Sequence, residues 1–349
     1  MISLVFGLIA AMPPVHVAQS ACWPEGALSM AKSVELPRLR WSEETHRRLA
    51  DLIARRGAKA ATYDRCKRPL AVFDFDNTII QGDLGDAAFA EAAARGMLAH
   101  DPALIALLPE AARAPLDGAW KSGAPDTAGR LLLAYEALLK DQGARVAYPW
   151  LTQAFHGNKS EDLRVFAQEL IESEQTRPMG LAPLPGPEGP VSVQRGVRIR
   201  PEMTSLIDVL VKSGFDVFVV TASPEWLIST VAPKIGLPAE NVIGMRTTET
   251  STLGVQIDPP VTYRMGKVTA IRTRIAPGGR RPVLALGDSL GDREMLEEST
   301  DLAVLIDRGD TDLAAVLRSR GVVLQRAFEG ATEQNVAEKP RPPARPRRR

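Results

Sequence analysis

The chain has 349 residues and a net charge of +1 at pH 7; 45% of its residues are hydrophobic and 24% are charged. This composition is that of a globular protein and argues against a disordered chain or a polytopic membrane protein, and the length predicts one large core with an inserted module, or two domains. Six basic residues lie in positions 339–349, so residues 1–338 carry a net charge of −5, which argues against a nucleic-acid-binding body.

Residues 1–21 have the layout of a signal peptide, with an apolar run from Leu4 to Met12, a Pro-Pro break and small residues before Cys22. No Lys or Arg precedes the run, so a buried N-terminal helix or a misassigned start is the alternative. The run is too short to span a bilayer. We therefore expect an exported protein, periplasmic or secreted, and a cytoplasmic one if this run is not a signal.

The two cysteines, Cys22 and Cys66, both lie beyond the predicted signal peptide. An even number of cysteines in an exported protein permits one disulfide near the mature N-terminus, and two unpaired buried thiols are the alternative. A lipid-modified Cys22 is disfavoured, because Gln19 stands where such signals have an aliphatic residue.

The segment 22–81 is expected to hold a leader helix and the first strand of the core. Trp41 to Gly57 has the periodicity of an amphipathic helix with Ser42 as its N-cap, and LAVFDF at 70–75 predicts a strand. Residues 82 to about 171 are rich in Ala and Leu with helical periodicity, which predicts a separate module of successive helices without strands. After it, residues 177–190 hold five prolines and three glycines and predict a loop or hinge.

Residues 196–328 alternate between helical and strand patterns, and LAVLID at 302–307 is predicted to be the last strand. This alternation predicts an α/β fold whose parallel sheet is covered on both faces, with the helical module inserted after the first strand. Residues 329–349 predict a disordered, basic, Pro-rich tail, and weak attraction to an anionic surface is the alternative.

Acidic residues follow two of the predicted strands. Asp74 and Asp76 are one residue apart and point the same way, and GDSLGD places Asp288 and Asp292 one helical turn apart. Ligands bind beyond the carboxyl ends of parallel strands, and carboxylates in proximity need a cation or a shared proton. Carboxylate and water ligands favour Mg²⁺, whereas an EF-hand starting at Asp74 would need glycine where Ile79 stands. A turn or helix cap explains any one acid but not the clustering.

Two further residues lie at or near predicted strand ends. Thr221 follows the strand FDVFVV where a helix begins, so its hydroxyl and nearby N–H groups could hold an anion. Lys267 lies at a helix start between two strands and could offset the charge of the acids. The alternative for Lys267 is an ordinary surface lysine.

The order Asp-x-Asp-x-Thr, Thr, Lys, Gly-Asp-Ser-x-x-Asp resembles the haloacid dehalogenase superfamily of phosphohydrolases, in its phosphoserine-phosphatase-like branch, over about residues 40–328. VTASPEW and GDLGDAAFA are similar to exported bacterial phosphorylcholine-phosphatase-like hydrolases. The resemblance implies a Rossmann-like three-layer core with a helical cap at 82–195.

The resemblance also implies a magnesium-dependent phosphomonoesterase that acts through an aspartyl-phosphate intermediate. It assigns the nucleophile to Asp74, the general acid/base to Asp76, phosphate binding to Thr221 and Lys267, and the metal site to Asp74, Asp76 through its carbonyl, Asp288 and Asp292, the last in an orienting role. A phosphotransferase or mutase of the same superfamily is one alternative. A catalytically silent phosphate-ester-binding protein is the other, and the intact acids argue against it.

Substrate choice is expected to lie in the cap, which would close over the site. Asp83 and Asp86 could face a cationic head group or only complement a helix N-terminus. Tyr148 and Trp150 in AYPW, with other cap aromatics, could form a choline cage or pack in the cap core. The aromatics considered are Phe89, Trp120, Tyr135, Tyr148, Trp150, Phe155 and Phe166. We expect a small phosphate ester, phosphorylcholine or phosphoserine, and the sequence leaves the oligomeric state open.

Overall fold

The structure is a computed structural model that describes Cys22 and residues 34–328. The predicted signal peptide, 1–21, and the predicted tail, 329–349, lie outside the described residues. Across the part of the chain that is described, none of the helices combines the length and apolar character needed to cross a membrane. A disulfide joins Cys22 to Cys66, which selects the paired alternative for the two cysteines.

The described residues form eleven strands. They are β1 Leu70–Phe73, β2 Ile80–Gln81, β3 Gly180–Leu184, β4 Val191–Arg195, β5 Arg198–Ile199, β6 Asp216–Pro224, β7 Val242–Glu249, β8 Leu253–Asp258, β9 Leu284–Gly287, β10 Leu302–Asp307 and β11 Val323–Arg326. Seven of them build the central sheet in the order β11-β10-β9-β1-β6-β7-β8. Neighbours in this sheet run parallel except β7 and β8, which are antiparallel. The predicted α/β class is confirmed, but the prediction that 302–307 is the last strand is wrong.

The described residues also form twelve α-helices. They are α1 Glu43–Arg56, α2 Leu84–Ala94, α3 Pro102–Ile105, α4 Glu110–Ser122, α5 Thr127–Gln142, α6 Ala144–Gln153, α7 Ser160–Thr176, α8 Pro201–Lys212, α9 Glu225–Val231, α10 Met265–Ala270, α11 Arg293–Glu298 and α12 Thr311–Ser319. The leader helix α1 begins as predicted, since the Ser42 hydroxyl accepts a hydrogen bond from the Thr45 N–H at 3.1 Å.

Strand β1 is buried on both faces, which is why its sequence is an unbroken apolar run. Ala71 and Phe73 pack in one hydrophobic cluster with α1, α8 and α9, whereas Leu70 and Val72 pack in a second cluster with α10, α11 and α12. Side chains alternate along a strand, so consecutive residues enter opposite layers. The sheet is therefore the middle of three layers.

The segment between β2 and β5 leaves the core and forms a module of six helices, α2 to α7, with one hairpin. The hairpin pairs β3 with β4 where the sequence predicts a loop, so that prediction is wrong for 180–184. A two-stranded ribbon leaves one edge of each strand free, which accommodates Pro183 opposite Ser192. Strands β2 and β5 pair with each other at the base of the module, so both connections to the core lie side by side.

Candidate active site

The candidate site lies at the carboxyl ends of the central strands. Strand β1 lies between β9 and β6, and β10 is the next neighbour of β9. The residues that follow these four strands therefore meet at one edge of the sheet, where ligands bind in open parallel sheets. A cavity of about 160 Å³ opens there.

Asp74 is the first residue after β1, and its N–H donates to the Leu286 carbonyl of β9 at 2.9 Å. The chain then turns tightly through residues 75–79, with Asn77 in the left-handed region at φ 60°, a conformation that Asn tolerates better than most residues. This turn returns Thr78 to Asp74, so that the Thr78 hydroxyl donates to Asp74 Oδ2 at 3.1 Å. The carboxylate is buried and has a fixed orientation.

Lys267 lies on α10 with only 2% of its surface exposed, so it is not the surface lysine of the alternative interpretation. Its Nζ donates to Asp74 Oδ1 and Asp292 Oδ1, both at 2.6 Å. Burial by itself lowers the pKa of Lys267, but Asp292 and Asp74 together raise it above its usual value. A charged Lys267 therefore links Asp74, at the end of β1, to Asp292, in the turn after β9.

Three buried acids, Asp74, Asp288 and Asp292, have carboxylate oxygens within 4.8 Å of one another. Asp292 is fully engaged by protein: Oδ1 accepts from Lys267, and Oδ2 accepts from Ser289 Oγ at 3.0 Å and from two backbone N–H groups. Asp74 accepts one hydrogen bond at each oxygen, and Asp288 accepts one from Arg308 at Oδ2, so both keep lone pairs for a cation. Oxygen is the ligand that Mg²⁺ prefers. The donor set fits a magnesium ion held by Asp74 and Asp288, with Asp292 orienting its surroundings. The Asp76 carboxylate is not part of this group.

Close packing explains the glycine of GDSLGD. A Cβ atom at Gly287 would lie 2.5 Å from the Asp292 Cβ, which is closer than real Cβ atoms approach. Glycine at this position thus lets Asp292 reach both Lys267 and the N–H of Asp288.

Burial disfavours the ionised form of each acid near the cavity floor. Burial, with Asp292 adding to it and Lys267 opposing it, raises the pKa of Asp74 from 3.8 to about 6. Burial and the charges of Asp74 and Asp292 raise the pKa of Asp288 well above its usual value, while Arg308 opposes the rise. Lys267 and Arg308 therefore do not fully offset the burial of these acids and their mutual repulsion, which is the property of a site that binds a further cation.

We expect Mg²⁺ to raise the melting temperature more at pH 7.5 than at pH 5. The folded pKa of Asp74, about 6, exceeds its usual 3.8. The folded state therefore binds more protons than the unfolded chain between these values, and this site's contribution to stability falls as the pH rises through 6. A cation that binds the ionised acids offsets the loss, by roughly 2.7 kcal/mol at 100 times its Kd.

Scanning fluorimetry at both pH values, with Mg²⁺ or with EDTA, measures this effect. Asp288→Asn is the matched variant and should lose most of the Mg²⁺-dependent gain. A gain of equal size at both pH values would contradict the assignment of the cation to these carboxylates.

Asp76 is held through both of its carboxylate oxygens. Oδ1 accepts from the Leu84 N–H at 2.7 Å, and Oδ2 accepts from the Ser223 hydroxyl at 2.5 Å. Burial, followed by the charge of Asp83, raises the pKa of Asp76 well above its usual value, although the Ser223 hydrogen bond opposes the rise. Asp76 can therefore retain a proton at a pH where an exposed aspartate has lost it, as a general acid requires.

The helical module between β2 and β5, called the cap from here on, supplies the wall of the cavity that faces the acids of the core. Asp83, Asp86, Tyr135 and Tyr148 line it from the cap, and Tyr263 lines it from the core. Tyr148 and Tyr263 meet edge to face with ring centroids 5.5 Å apart. Asp83 also caps α2, because its Oδ1 accepts from the Asp86 N–H at 2.8 Å. Asp83 therefore caps a helix and also lines the cavity, and its contact with a cationic head group stays a prediction.

Two predicted site residues do not line the cavity. Trp150 is buried in the cap core, where its Nε1 donates to the Leu104 carbonyl at 2.9 Å and its ring stacks on Tyr135 with centroids 6.2 Å apart. Thr221 is buried, and its hydroxyl accepts from the Ser223 N–H at 3.0 Å. The prediction of a direct contact is corrected for Trp150, which supports Tyr135 in the cap core. Phosphate binding by Thr221 stays a prediction, because a hydroxyl that accepts the Ser223 N–H can still donate its own hydrogen.

Sequence reasoning missed three residues that line the cavity, Ser223, Tyr263 and Arg308. Ser223 lies at the end of β6, and Arg308 directly follows β10, where its Nη1 donates to Asp288 Oδ2 at 2.8 Å. The rule that strand ends carry functional residues could have found both. Tyr263 precedes α10 in a loop and has no such signal.

Comparison with known proteins gives a family match for part of the chain. The family model of haloacid dehalogenase-like hydrolases matches residues 179–297. The matched segment contains Ser223, Lys267, Asp288 and Asp292, and Asp74 lies outside it. The match thus covers strands β3 to β9 and two of the three clustered acids.

Two relatives extend the comparison beyond this segment. The chain is 28% identical over 295 residues to a phosphorylcholine phosphatase of Pseudomonas aeruginosa, a similarity that covers 75% of this chain and 77% of the relative. A solved structure from Anaerococcus prevotii, a conserved protein of unknown function, has a TM-score of 0.71 at 22% identity and covers 84% of this chain and 94% of its own. The second comparison establishes a shared fold.

Proposed function

We propose that the chain is a phosphatase of the haloacid dehalogenase-like kind, in keeping with its family match and its phosphorylcholine phosphatase relative. We propose further that it is a magnesium-dependent phosphomonoesterase that forms an aspartyl-phosphate and prefers esters of a small cationic alcohol. One observation carries the proposal: Lys267 fixes Asp74 at the floor of a cavity whose cap wall holds Asp83 and Asp86. The floor provides phosphoryl chemistry, and the wall provides charge selection.

The proposed reaction has two halves, both carried by groups that line the cavity. In the first, Asp74 attacks phosphorus while Asp76 gives a proton to the leaving alcohol oxygen as the ester P–O bond breaks. In the second, Asp76 takes a proton from the water that attacks phosphorus, and the bond to Asp74 breaks. Lys267 orients Asp74 and offsets the charge that develops on the phosphoryl oxygens.

Asp74 and Asp288 would hold the magnesium ion, together with the Asp76 carbonyl that the family resemblance assigns to it. When bound, the ion supplies neutralisation of phosphoryl charge. Thr78 and Arg308 keep these carboxylates in position from the protein side. Asp292 contributes indirectly, through Lys267 and the backbone of the GDSLGD turn.

The charge balance of the cavity favours a cationic alcohol. Six acids line it: Asp74, Asp76, Asp83, Asp86, Asp288 and Asp292. Among the described residues, the cavity has two cationic side chains, Lys267 and Arg308, and both already bond to carboxylates. A positive head group would gain from Asp83, Asp86 and the tyrosine rings, whereas the carboxylate of phosphoserine would meet like charges. The curated relative's activity points to the same class of substrate, of which phosphorylcholine is our leading candidate.

A panel assay tests the proposal. Purified protein is given p-nitrophenyl phosphate, phosphorylcholine and phosphoserine, with Mg²⁺ or with EDTA, and both free phosphate and free alcohol are measured. We expect Mg²⁺-dependent release, with kcat/KM for phosphorylcholine at least about tenfold above that for phosphoserine. Equal amounts of phosphate and alcohol would distinguish hydrolysis from transfer to a second alcohol. No phosphate from any ester would contradict the proposal.

Tyr148→Leu tests the aromatic wall. Loss of the ring should lower kcat/KM for phosphorylcholine about tenfold, because a desolvated cation–π contact contributes up to ~2 kcal/mol. Activity on p-nitrophenyl phosphate should change little. Tyr148→Phe is the matched control, since it keeps the ring and loses only the hydroxyl. A loss of equal size on every ester would argue against a cationic subsite.

We also propose that the protein works outside the cytoplasm. The support is the layout of residues 1–21 together with the disulfide between Cys22 and Cys66, a bond that persists in oxidising compartments. Fractionation of cells that express the full chain, with thiol labelling of the exported and retained pools, tests this location.

A further inference from the structure

The hydrogen bonds to Asp76 come from two different parts of the molecule. Leu84, whose N–H donates to Oδ1, is the first residue of α2 in the cap, whereas Ser223, whose hydroxyl donates to Oδ2, lies at the end of β6 in the core. Asp76 itself follows the central strand β1. Its carboxylate therefore lies between cap and core and is oriented by both.

The position of the Ser223 hydroxyl is specified on two sides. Its backbone N–H donates to the Thr221 hydroxyl at 3.0 Å, which anchors this part of β6. On the other side α2 approaches closely, since a Cβ at Gly85 would lie 2.7 Å from Ser223 Oγ. Gly85 thus leaves room for the Ser223 hydroxyl to reach Asp76. Neither Ser223 nor Gly85 has a role in the chemistry assigned so far.

We propose that Ser223 is a positioning residue for Asp76, and that its hydroxyl keeps the Asp76 carboxyl in the orientation needed for both proton transfers. This inference rests on the proposed function, which makes Asp76 the general acid/base. In the first half of the reaction the proton moves from Asp76 to the oxygen of the leaving alcohol. In the second half it moves from the attacking water to Asp76. Ser223 donates one hydrogen bond to Asp76 and neither gains nor loses a proton.

Leaving-group dependence separates this role from a general structural one. Choline is a poor leaving group without a proton, so the first half of the reaction on phosphorylcholine depends on a correctly placed acid. p-Nitrophenolate leaves without one, so the formation of the phosphoenzyme from p-nitrophenyl phosphate does not need it. A misplaced Asp76 should therefore slow phosphoenzyme formation from phosphorylcholine and leave its formation from p-nitrophenyl phosphate unchanged.

The experiment compares Ser223→Ala with wild type in single-turnover, rapid-quench assays on the full chain with Mg²⁺. We expect phosphoenzyme formation from phosphorylcholine to slow about 10- to 100-fold, part of the ~10²–10⁴ that general acid catalysis contributes. Formation from p-nitrophenyl phosphate should stay within about twofold, and KM should change little. Gly85→Ala, which pushes a Cβ against the hydroxyl, should give the same pattern.

Ser229→Ala is the matched control, because Ser229 on α9 donates to the Glu225 carbonyl and does not line the cavity. It should behave as wild type. Equal slowing with both esters, a change confined to KM, or unchanged rates in Ser223→Ala would each overturn the positioning role. Absence of any phosphoenzyme in the wild type would instead overturn the proposed function, so the two failures are distinguishable.

Discussion

Replacing Asp74 by Asn should reduce phosphate release on the order of 10⁴-fold or more, because it removes the proposed nucleophile and one of the two carboxylates left for the cation. Phosphoenzyme trapped by acid quench should disappear with it. The substitution keeps the size and planar shape of the side chain; the amide oxygen can still accept from Lys267, and the amide nitrogen can donate to the Thr78 hydroxyl. The loss would therefore report chemistry rather than packing.

The stability of the Asp74→Asn variant, in contrast to its activity, should rise or stay unchanged. Burial raises the pKa of Asp74 to about 6, so at pH 7.5 the ionised side chain lowers the free energy of unfolding. Asn carries no charge, and Lys267 keeps Asp292 as a partner. We expect metal-free Asp74→Asn to melt at the same temperature as wild type or higher, because active sites often trade stability for activity.

Asp208→Asn provides the matched control, since Asp208 is an exposed acid of α8 that pairs with Lys212. It should keep full activity. Unchanged phosphate release in Asp74→Asn would remove Asp74 from the mechanism. Loss of activity together with a large fall in melting temperature would make the variant uninformative for catalysis, so both quantities are measured on the same preparation.

The sequence was sufficient to place the acids and the lysine at one edge of a parallel sheet. Strand ends are recognisable from an apolar run followed by polar residues, and parallel strands bring such ends together. Asp74, Asp288 and Lys267 all meet in the structure as this argument requires. The α/β class followed from the same alternation of helices and strands.

The pairings within the site depend on strand order, which no local pattern encodes. Arg308 bonds to Asp288 because β10 lies beside β9, and Ser223 bonds to Asp76 because β6 lies beside β1. Long-range neighbours of this kind appear only when the sheet is assembled. Sequence reasoning could therefore find the residues at strand ends but not which of them touch.

The error at Trp150 has a simpler geometric cause. Tyr148 and Trp150 are both in α6, two residues apart, and residues at that spacing do not share a helix face. Tyr148 lines the cavity, so Trp150 turns toward Phe89 and Tyr135 in the cap core. Helical periodicity alone predicts that only one of Tyr148 and Trp150 can line the cavity.

Lys267→Met should destabilise the metal-free protein by about 3–5 kcal/mol at pH 7.5, the range observed when one partner of a buried ion pair is removed. Methionine fills a similar volume, so the loss comes from leaving Asp74 and Asp292 buried without their shared cation. Urea unfolding of metal-free wild type and variant measures it. Lys212→Met, which removes an exposed lysine paired with Asp208, should have little effect.

The destabilisation should be smaller at pH 5 than at pH 7.5. Removing Lys267 removes an influence that lowers the pKa of Asp74, so the folded variant takes up protons at a higher pH than the wild type. A folded state that binds more protons gains stability as the pH falls. A loss of the same size at both pH values would mean that Lys267 stabilises through packing and not through its charge.

A second substitution separates charge pairing from catalysis. Adding Asp292→Asn to Lys267→Met removes one of the two unpaired acids, so the double variant should regain part of the lost stability. It should regain no activity, because the group that orients Asp74 and offsets phosphoryl charge is still absent, a loss on the order of 10³-fold. Recovery of both together would mean that Lys267 acts only by keeping the site folded.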